Sequence, residues 1–531
     1  MPGLFRNFPI GPGIPPVDRL GSRMGGGFRL GIVWTVRSVL HWWQRCAMKR
    51  VAKILASLFA LGVLLLVGFH LVENWRGKRA WERWKAQRTA LGARYDWTAL
   101  APPEVPDAEN FAKAPIIEAA ITGTNSILGG FQWQEASAGG VSSWRLGKRE
   151  DLNAWREAFK NQDLESALEP CKPDLDRLTQ AMGRARCRLP FKYNYVEFMK
   201  DGYPPLLGMR SAGKALRLRA LARLEAGKPA EALEDVLSLL RLSQKFKDEP
   251  TLLVHLLQTA LIGQAMQPIW EGVSGRQWNG PQLLILQREL EGVDLLRSHY
   301  RSMESERVFS IHAMESMAKA SYLERAKSAA LADENSGGKP SKGIVVPAWL
   351  AQPSGWIYQD MLYTDRLYTL SWLPSLDVKH HRVDREAQKA VISKLSGKRP
   401  APHNRMSELS LPPLFGLAMR IAERQNAVDE AVAACAIERH RLAKGNLPSD
   451  LTELSPTFLS RVPVDLLTGE PLRYQVKSED TFQLVSAGWN FTPEATGTPV
   501  QDTRTTFQPG QESWLWPPRK KVAAPRGAAS R

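Results

Sequence analysis

The stretch Gly208-Met209-Arg210-Ser211-Ala212-Gly213-Lys214 fits the first seven positions of a phosphate-cradling loop, in which backbone amides and a lysine grip the phosphates of a nucleotide. The eighth position is Ala215, where that chemistry needs a Ser or Thr to hold magnesium, and KDGYPPLL rather than an apolar strand precedes it. The stretch reads as the start of a leucine-rich helix. His299, His312, His380, His381, His403 and His440 carry the ring nitrogens that could ligate a metal. No two of them share i, i+4 spacing with an adjacent glutamate, and consecutive His380 and His381 point to different helical faces, so all six read as surface histidines. Glu304 and Glu306, two apart on a helix beside Arg301 and Arg307, do not face each other and read as solvated charges. The cysteines, Cys46, Cys171, Cys187 and Cys435, form no C-x-x-C pair. A straight helix between Cys171 and Cys187 would hold them roughly 24 Å apart, and a disulfide needs about 7 Å or less between alpha carbons, so the thiols read as mostly unpaired. No G-x-S-x-G occurs. The sequence therefore names no catalytic, cofactor-binding or metal-ligating residue and implies no cofactor, leaving open only a site assembled by folding from distant segments.

What positions this chain is easier to read than what it does. Residues 54 to 72, ILASLFALGVLLLVGFHLV, are 19 consecutive residues without formal charge, which as a helix span about 28 Å, one bilayer core. A buried helix of a soluble domain normally keeps a polar stripe, and here only Ser57 and His70 are polar. His70 lies near one end of the run, within reach of headgroups. Trp75, Trp81 and Trp84 follow among Arg76, Lys78 and Arg79, which reads as an interfacial belt with indoles at the boundary and cations on phosphates. The exit GFHLVENWRGKR lacks the small residues of a signal-peptidase site, so the segment is expected to stay as a signal anchor. Basic residues flank both sides and leave the orientation open on charge alone.

Charge elsewhere sharpens the class. The 531 residues carry a formal net charge of +17. Residues 1–94 hold 16 Lys and Arg against 3 Asp and Glu, and residues 517–531 hold 5 against none. The remaining 422 residues hold 50 basic and 51 acidic groups, so the main body is neutral and the high charge is no argument for nucleic acid. At 44% hydrophobic and 24% charged, the composition excludes wholesale disorder and a multi-pass transporter.

The body reads as helical. Four prolines in APPEVPDAENFAKAP end the juxtamembrane helix. From Pro205 to Gly272, leucines recur at three- and four-residue intervals through ALRLRALARL, EALEDVLSLLRL and TLLVHLLQTALI. Ala220, Gly227 and Ala232 match the small positions of a tetratricopeptide unit, but a single copy reads as an ordinary hairpin. Helices are expected over 281–292, 295–330, 355–373 and 413–444, with flexible loops at 332–343 and 396–404. Near the end, Leu472, Tyr474 and Val476 alternate, as do Phe482 and Leu484, predicting a small antiparallel hairpin packed on a helix.

MGRARCRLP, the leucine-rich helical run, GWIYQDML and the ending AIERHRLAKGNLPSDLTEL, VPVDLLTGEPLRY and LVSAGWN together resemble a family of uncharacterised membrane-anchored proteins of planctomycete and verrucomicrobial bacteria. The resemblance covers most of residues 48–516 and implies a bacterial envelope protein with a helical body, without an activity. It also inclines the topology toward a cytoplasmic N-terminus and a body outside. Over about 70 residues the end of the chain is similar to type II secretion pseudopilins, at Pro463, Asp465, Gly469, Pro471, Tyr474 and Gly488. The chain departs from them in its length, in lacking a prepilin cleavage site, and in GWNFTPEATG, which lacks calcium-loop spacing.

These readings set the expectations. The fold is mainly α, a single transmembrane helix followed by a helical ectodomain and a small C-terminal α+β hairpin module. Residues 1–47 are either an extension ahead of a start at Met48 or a disordered basic arm with a weak interfacial segment. Residues 48–94 form the anchor and juxtamembrane helix, 95–150 a Pro/Gly-rich joint, 151–412 the helical domain, 413–516 the helix-plus-hairpin module and 517–531 a disordered basic tail. The expected function is a membrane-tethered scaffold or interaction protein of the bacterial inner membrane, single-pass, with a periplasmic body. Its expected partners are the bilayer and envelope proteins, not nucleic acid. The alternatives are an envelope hydrolase with a site assembled by folding and a pseudopilin-like component.

Overall fold

The computed structural model describes residues 28–124, 127–128, 163–202, 206–321, 324–325, 352–396, 401, 403–486 and 513–516. The basic arm up to residue 27, the loop 332–343, Gly488 and the tail 517–531 lie outside the described residues. The chain forms two compact units, residues 1–72 and residues 73–531.

The described residues of the first unit, 28–72, lie in a helix, α1 (Phe28–Ala90). Among the described residues one helix is long and apolar enough to cross a membrane, and it is this one, with none of its most apolar window buried in protein. Leu55, Phe59, Leu64 and Val72 stand open, Phe59 at 75% exposure. Apolar side chains so bare require lipid or another apolar cover.

The second unit is mainly helical. After α1, Pro115 opens α2 (Pro115–Thr122), and Gly123 closes it with a left-handed φ of 74°. Then come α3 (Lys172–Ala181), α4 (Tyr195–Asp201), α5 (Leu207–Glu225), α6 (Pro229–Lys245) and α7 (Leu252–Ser274). The last three fold back on one another because the Gly and Pro breaks between them allow sharp reversals, and their leucines bury in one continuous core. The α5–α6 hairpin is pinned inside by Asp235, which accepts from Arg219 at 2.6 Å and Arg223 at 2.9 Å.

Helices α8 (Gly280–Glu291) and α9 (Leu295–Lys319) follow, each started by a capping side chain, Asn279 in a full capping box and Asp294. Next are α10 (Ser354–Leu367), α11 (Arg385–Ser396), α12 (Arg405–Phe415) and α13 (Leu417–Lys444). The helix expected over 355–373 is present without a gap, as α10, then a π turn at Tyr368–Trp372 and a 3-10 turn ending at Ser375. Pro374 lies in the 3-10 turn, at a position that supplies no N–H to a further helix ladder. A minimal hairpin, β1 (Leu376–Asp377) with β2 (Arg382–Val383), comes next.

The C-terminal hairpin is present. Strands β3 (Arg473–Ser478) and β4 (Thr481–Val485) pair antiparallel with Tyr474 opposite Leu484, and a bulge follows Val476. Leu472, Phe482 and Leu484 turn inward, while Val476 is exposed. A third strand, β5 (Ser513–Trp516), adds to β4 and widens the sheet beyond the two expected strands.

Candidate functional site

Among the described residues, a dense set of buried polar contacts lies where the end of α1 meets α9 and α10. Trp81, Tyr95, Ile311, Met314, Ile357 and Met361 make a small apolar cluster of their own there. At its centre Asp365 of α10 and Arg307 of α9 are almost fully buried and paired at 2.5 Å. The other carboxylate oxygen of Asp365 accepts from Trp84 Nε1 at 2.7 Å and from the Tyr95 hydroxyl at 2.8 Å. Arg307 also donates to the Arg94 carbonyl at 2.7 Å, and its guanidinium lies 5.0 Å over the Tyr95 ring. Trp81 meets that ring edge-on at 5.7 Å. Burial, and then the Asp365 carboxylate, push the Tyr95 hydroxyl far above its ordinary range, so it stays a donor. The two charges at this dry site meet each other, while Arg307 Nε is buried without a hydrogen-bond partner.

A second layer lies about three helical turns back along α1. Glu73 accepts from Trp356 Nε1 at 3.0 Å and Gln359 Nε2 at 3.2 Å, and Asn74 accepts from the Gly355 amide at 2.8 Å. Here the helices cross on two glycines. A Cβ on Gly77 would overlap the backbone of Gly355, and one on Gly355 would overlap the backbone of Glu73 and Asn74. The body-facing stripe of α1 is thus Glu73, Gly77, Trp81, Trp84 and Arg88, at the spacing of one helix face.

The six residues expected to form an interfacial belt divide between two faces. Trp75 is exposed with Arg79 stacked over it at 5.0 Å, and Lys78 is exposed and reaches Glu82 at 3.8 Å. Arg76 bonds Glu73 at 2.8 Å and turns toward Gln359. Trp81, at 2% exposure, and Trp84 point into the body, which corrects their reading as bilayer anchors: their indoles are consumed by protein packing and by Asp365. Their three-residue spacing, in step with Gly77 and Ala80, was the signal for a packed face.

The histidines also depart from expectation. His299 and His440 are buried rather than superficial. His440 Nε2 lies 3.2 Å from Glu453, and its Nδ1 lies 3.1 Å from the Asn446 carbonyl. His380 and His381 occupy the β1–β2 turn rather than a helix. Asp377 ties His380 at the surface at 2.6 Å, while His381, at a φ of 53°, turns inward to Asp429 on α13 at 3.3 Å. Gln425 donates to the other oxygen of Asp429 at 3.1 Å. Burial works against protonation of His381, but the Asp429 carboxylate outweighs it and raises the imidazole above its ordinary value. A carboxylate-oriented imidazole is the base half of a nucleophilic triad.

Among the described residues no three His, Cys, Asp or Glu side chains group to hold a metal. Residues 208–214 form the first two turns of α5 rather than a loop wrapped around a phosphate. Cys171, Cys187 and Cys435 are free and buried, and burial pushes Cys171 up to about 11, away from a reactive thiolate. No protein-family model matches the chain, and no curated protein or solved structure matches it.

Proposed function

We propose that this is a single-pass, membrane-tethered interaction protein of the bacterial envelope, anchored in the inner membrane by residues 54–72 with its helical body in the periplasm. The observation that carries the reading is the joint at Asp365. The helix that holds the bare apolar run also supplies the segment Glu73–Ala90, and that segment is built into the body by buried hydrogen bonds, an ion pair and a glycine crossing. A tether joined to its body only through a flexible linker needs none of these. A tethered body acts by holding a surface near the bilayer, and α4 presents Val196 and Met199 at nearly 60% exposure as apolar contacts for an envelope protein.

The test is protease access to a C-terminal tag in cells with a permeabilised outer membrane, combined with a photo-crosslinker at Val196 or Met199. Digestion of the tag and a discrete crosslinked protein support the reading. Protection of the tag places the body in the cytoplasm and overturns the topology. A second reading, an envelope hydrolase, is favoured by the His381–Asp429 pair alone. It requires an acyl- or phosphoester-hydrolysing activity that His381→Gln abolishes in folded protein. The pseudopilin-like reading gains no observation, since the C-terminal sheet rests on α13 rather than on α1.

A further inference from the structure

Opposite its body-facing stripe, the stretch 73–90 of α1 turns a second set of side chains outward. At the helical repeat these are Trp75, Lys78, Arg79, Glu82 and Arg83, and all five are exposed. Trp75 is 62% exposed, with the Arg79 guanidinium over its ring at 5.0 Å. An indole so open leaves a large apolar body in water, and the stacked cation is held in place by the ring. Glu82 is the one acid on this side. Its contact with Lys78, at 3.8 Å between two exposed side chains, is worth little. Among the described residues neither Arg79 nor Arg83 has an acidic partner.

We propose that Trp75, Lys78, Arg79 and Arg83 form a docking surface for anionic phospholipid headgroups, so that the tether selects an acidic lipid such as phosphatidylglycerol. This rests on the tethering reading, names its lipid partner, and holds on either side of the bilayer. Sequence position chooses a headgroup over a soluble anion or an acidic protein. The four residues follow Val72, the end of the bare apolar run, by three to eleven residues, so headgroups are the polar groups they meet first. Charge chooses the kind of headgroup. Three cations against one acid attract a lipid of net negative charge, whereas the ammonium of a choline lipid offsets its own phosphate. Arg79 can present two parallel N–H donors to a phosphate while its face rests on Trp75, a geometry that a lysine cannot copy. The body does not compete for this side, because it packs on the other through Gly77, Trp81 and Trp84.

The full chain is first floated with phosphatidylcholine vesicles. Failure to float removes the anchor, and this inference with it. The detergent-purified chain is then titrated with phosphatidylglycerol or phosphatidylcholine, and bound lipid is counted by native mass spectrometry. At roughly fivefold in affinity per cation, the wild type should hold the anionic lipid at least tenfold more tightly. Lys78→Gln, Arg79→Gln and Arg83→Gln together should bring the two lipids to near-equal affinity. Their side chains point away from the body, so this variant should melt with the wild type. Lys172→Gln, Lys192→Gln and Arg297→Gln together remove the same charge from exposed positions elsewhere on the body and should keep the preference. Equal affinities in the wild type, a preference that survives the first variant, or one lost in the second overturns the proposal. So does displacement of the lipid by inorganic phosphate but not by chloride at equal ionic strength, which would mark a soluble-anion site. The wild type alone keeps the test decisive if a variant fails to fold: a preference that does not weaken as salt rises also overturns it.

Discussion

Asp365 gathers hydrogen bonds from Trp84, Tyr95 and Arg307, three residues that are distant from it in sequence. Removing it leaves a guanidinium in a dry site with no countercharge, the costly way to break a buried pair. Asp365→Ala should therefore destabilise the body by about 3–5 kcal/mol, read as a lower midpoint in urea denaturation of detergent-solubilised protein. Arg307→Met combined with Asp365→Leu, which removes both charges, should recover much of that loss. A double variant no better than Asp365→Ala would mean that the hydrogen bonds of Trp84 and Tyr95, and not the ion pair, carry the joint. A second residue-scale consequence concerns Glu249. Burial raises its carboxyl to about 7, against the opposing bonds from Tyr193 and the Leu189 amide. The folded state then binds a proton that the unfolded state releases near 4.5, so stability is greatest below that pH and falls as pH rises toward 7. The fall is on the order of 3 kcal/mol. Glu249→Gln, whose single oxygen can still accept from the Leu189 amide while its NH2 donates to a reoriented Tyr193 hydroxyl, should flatten this slope and melt higher than the wild type at pH 8.

At the scale of elements, the crossing of α1 and α10 depends on two hydrogens where other residues have side chains. Gly77→Val inserts its branches into the Gly355 backbone and should force the helices apart, exposing Trp81 and Trp84. Tryptophan emission should shift to the red, and protease should cut within 73–90. Gly62→Ala, in the apolar run where nothing lies within 4 Å, should change neither. Most elements were legible in the sequence, because leucine spacing, Pro and Gly breaks and the alternation around Tyr474 and Phe482 are local signals. Helix α8 is observed at Gly280–Glu291 where 281–292 was expected. The joint was only half legible. The Gly77, Trp81, Trp84 stripe lay in view, but the tryptophans also sat among cations just past a membrane run, and that local context favoured an interfacial belt. Asp365 and Arg307 are 58 residues apart and meet only through the α9–α10 packing. Likewise His381 and Asp429 meet across elements whose pairing no spacing rule announces.

At the scale of the whole molecule, the division at residue 72 makes a separable claim. Every contact of the Asp365 joint, from Glu73 through Trp84 and Tyr95 to Arg307, falls within residues 73–531. The bare apolar side chains from Ile54 to Val72 all fall outside that unit. A chain of residues 73–531 should therefore stay in solution without detergent and melt cooperatively, because it loses the surface that needs lipid and keeps every partner in the joint. A chain of residues 91–531 should behave differently although it is only 18 residues shorter. It leaves the cluster of Tyr95, Ile311 and Met361 uncovered, and Asp365 without its Trp84 donor. Losing one buried tryptophan costs about 3–5 kcal/mol, and this truncation removes Trp81 together with the partly buried Trp84. Gel filtration and thermal melts of the two chains side by side decide the matter. If they melt alike, the segment 73–90 is a passive extension of the anchor. If the shorter one aggregates or melts well below the longer, the end of α1 is a structural part of the body, and the tether cannot be cut away at Ala90 without unmaking what it holds.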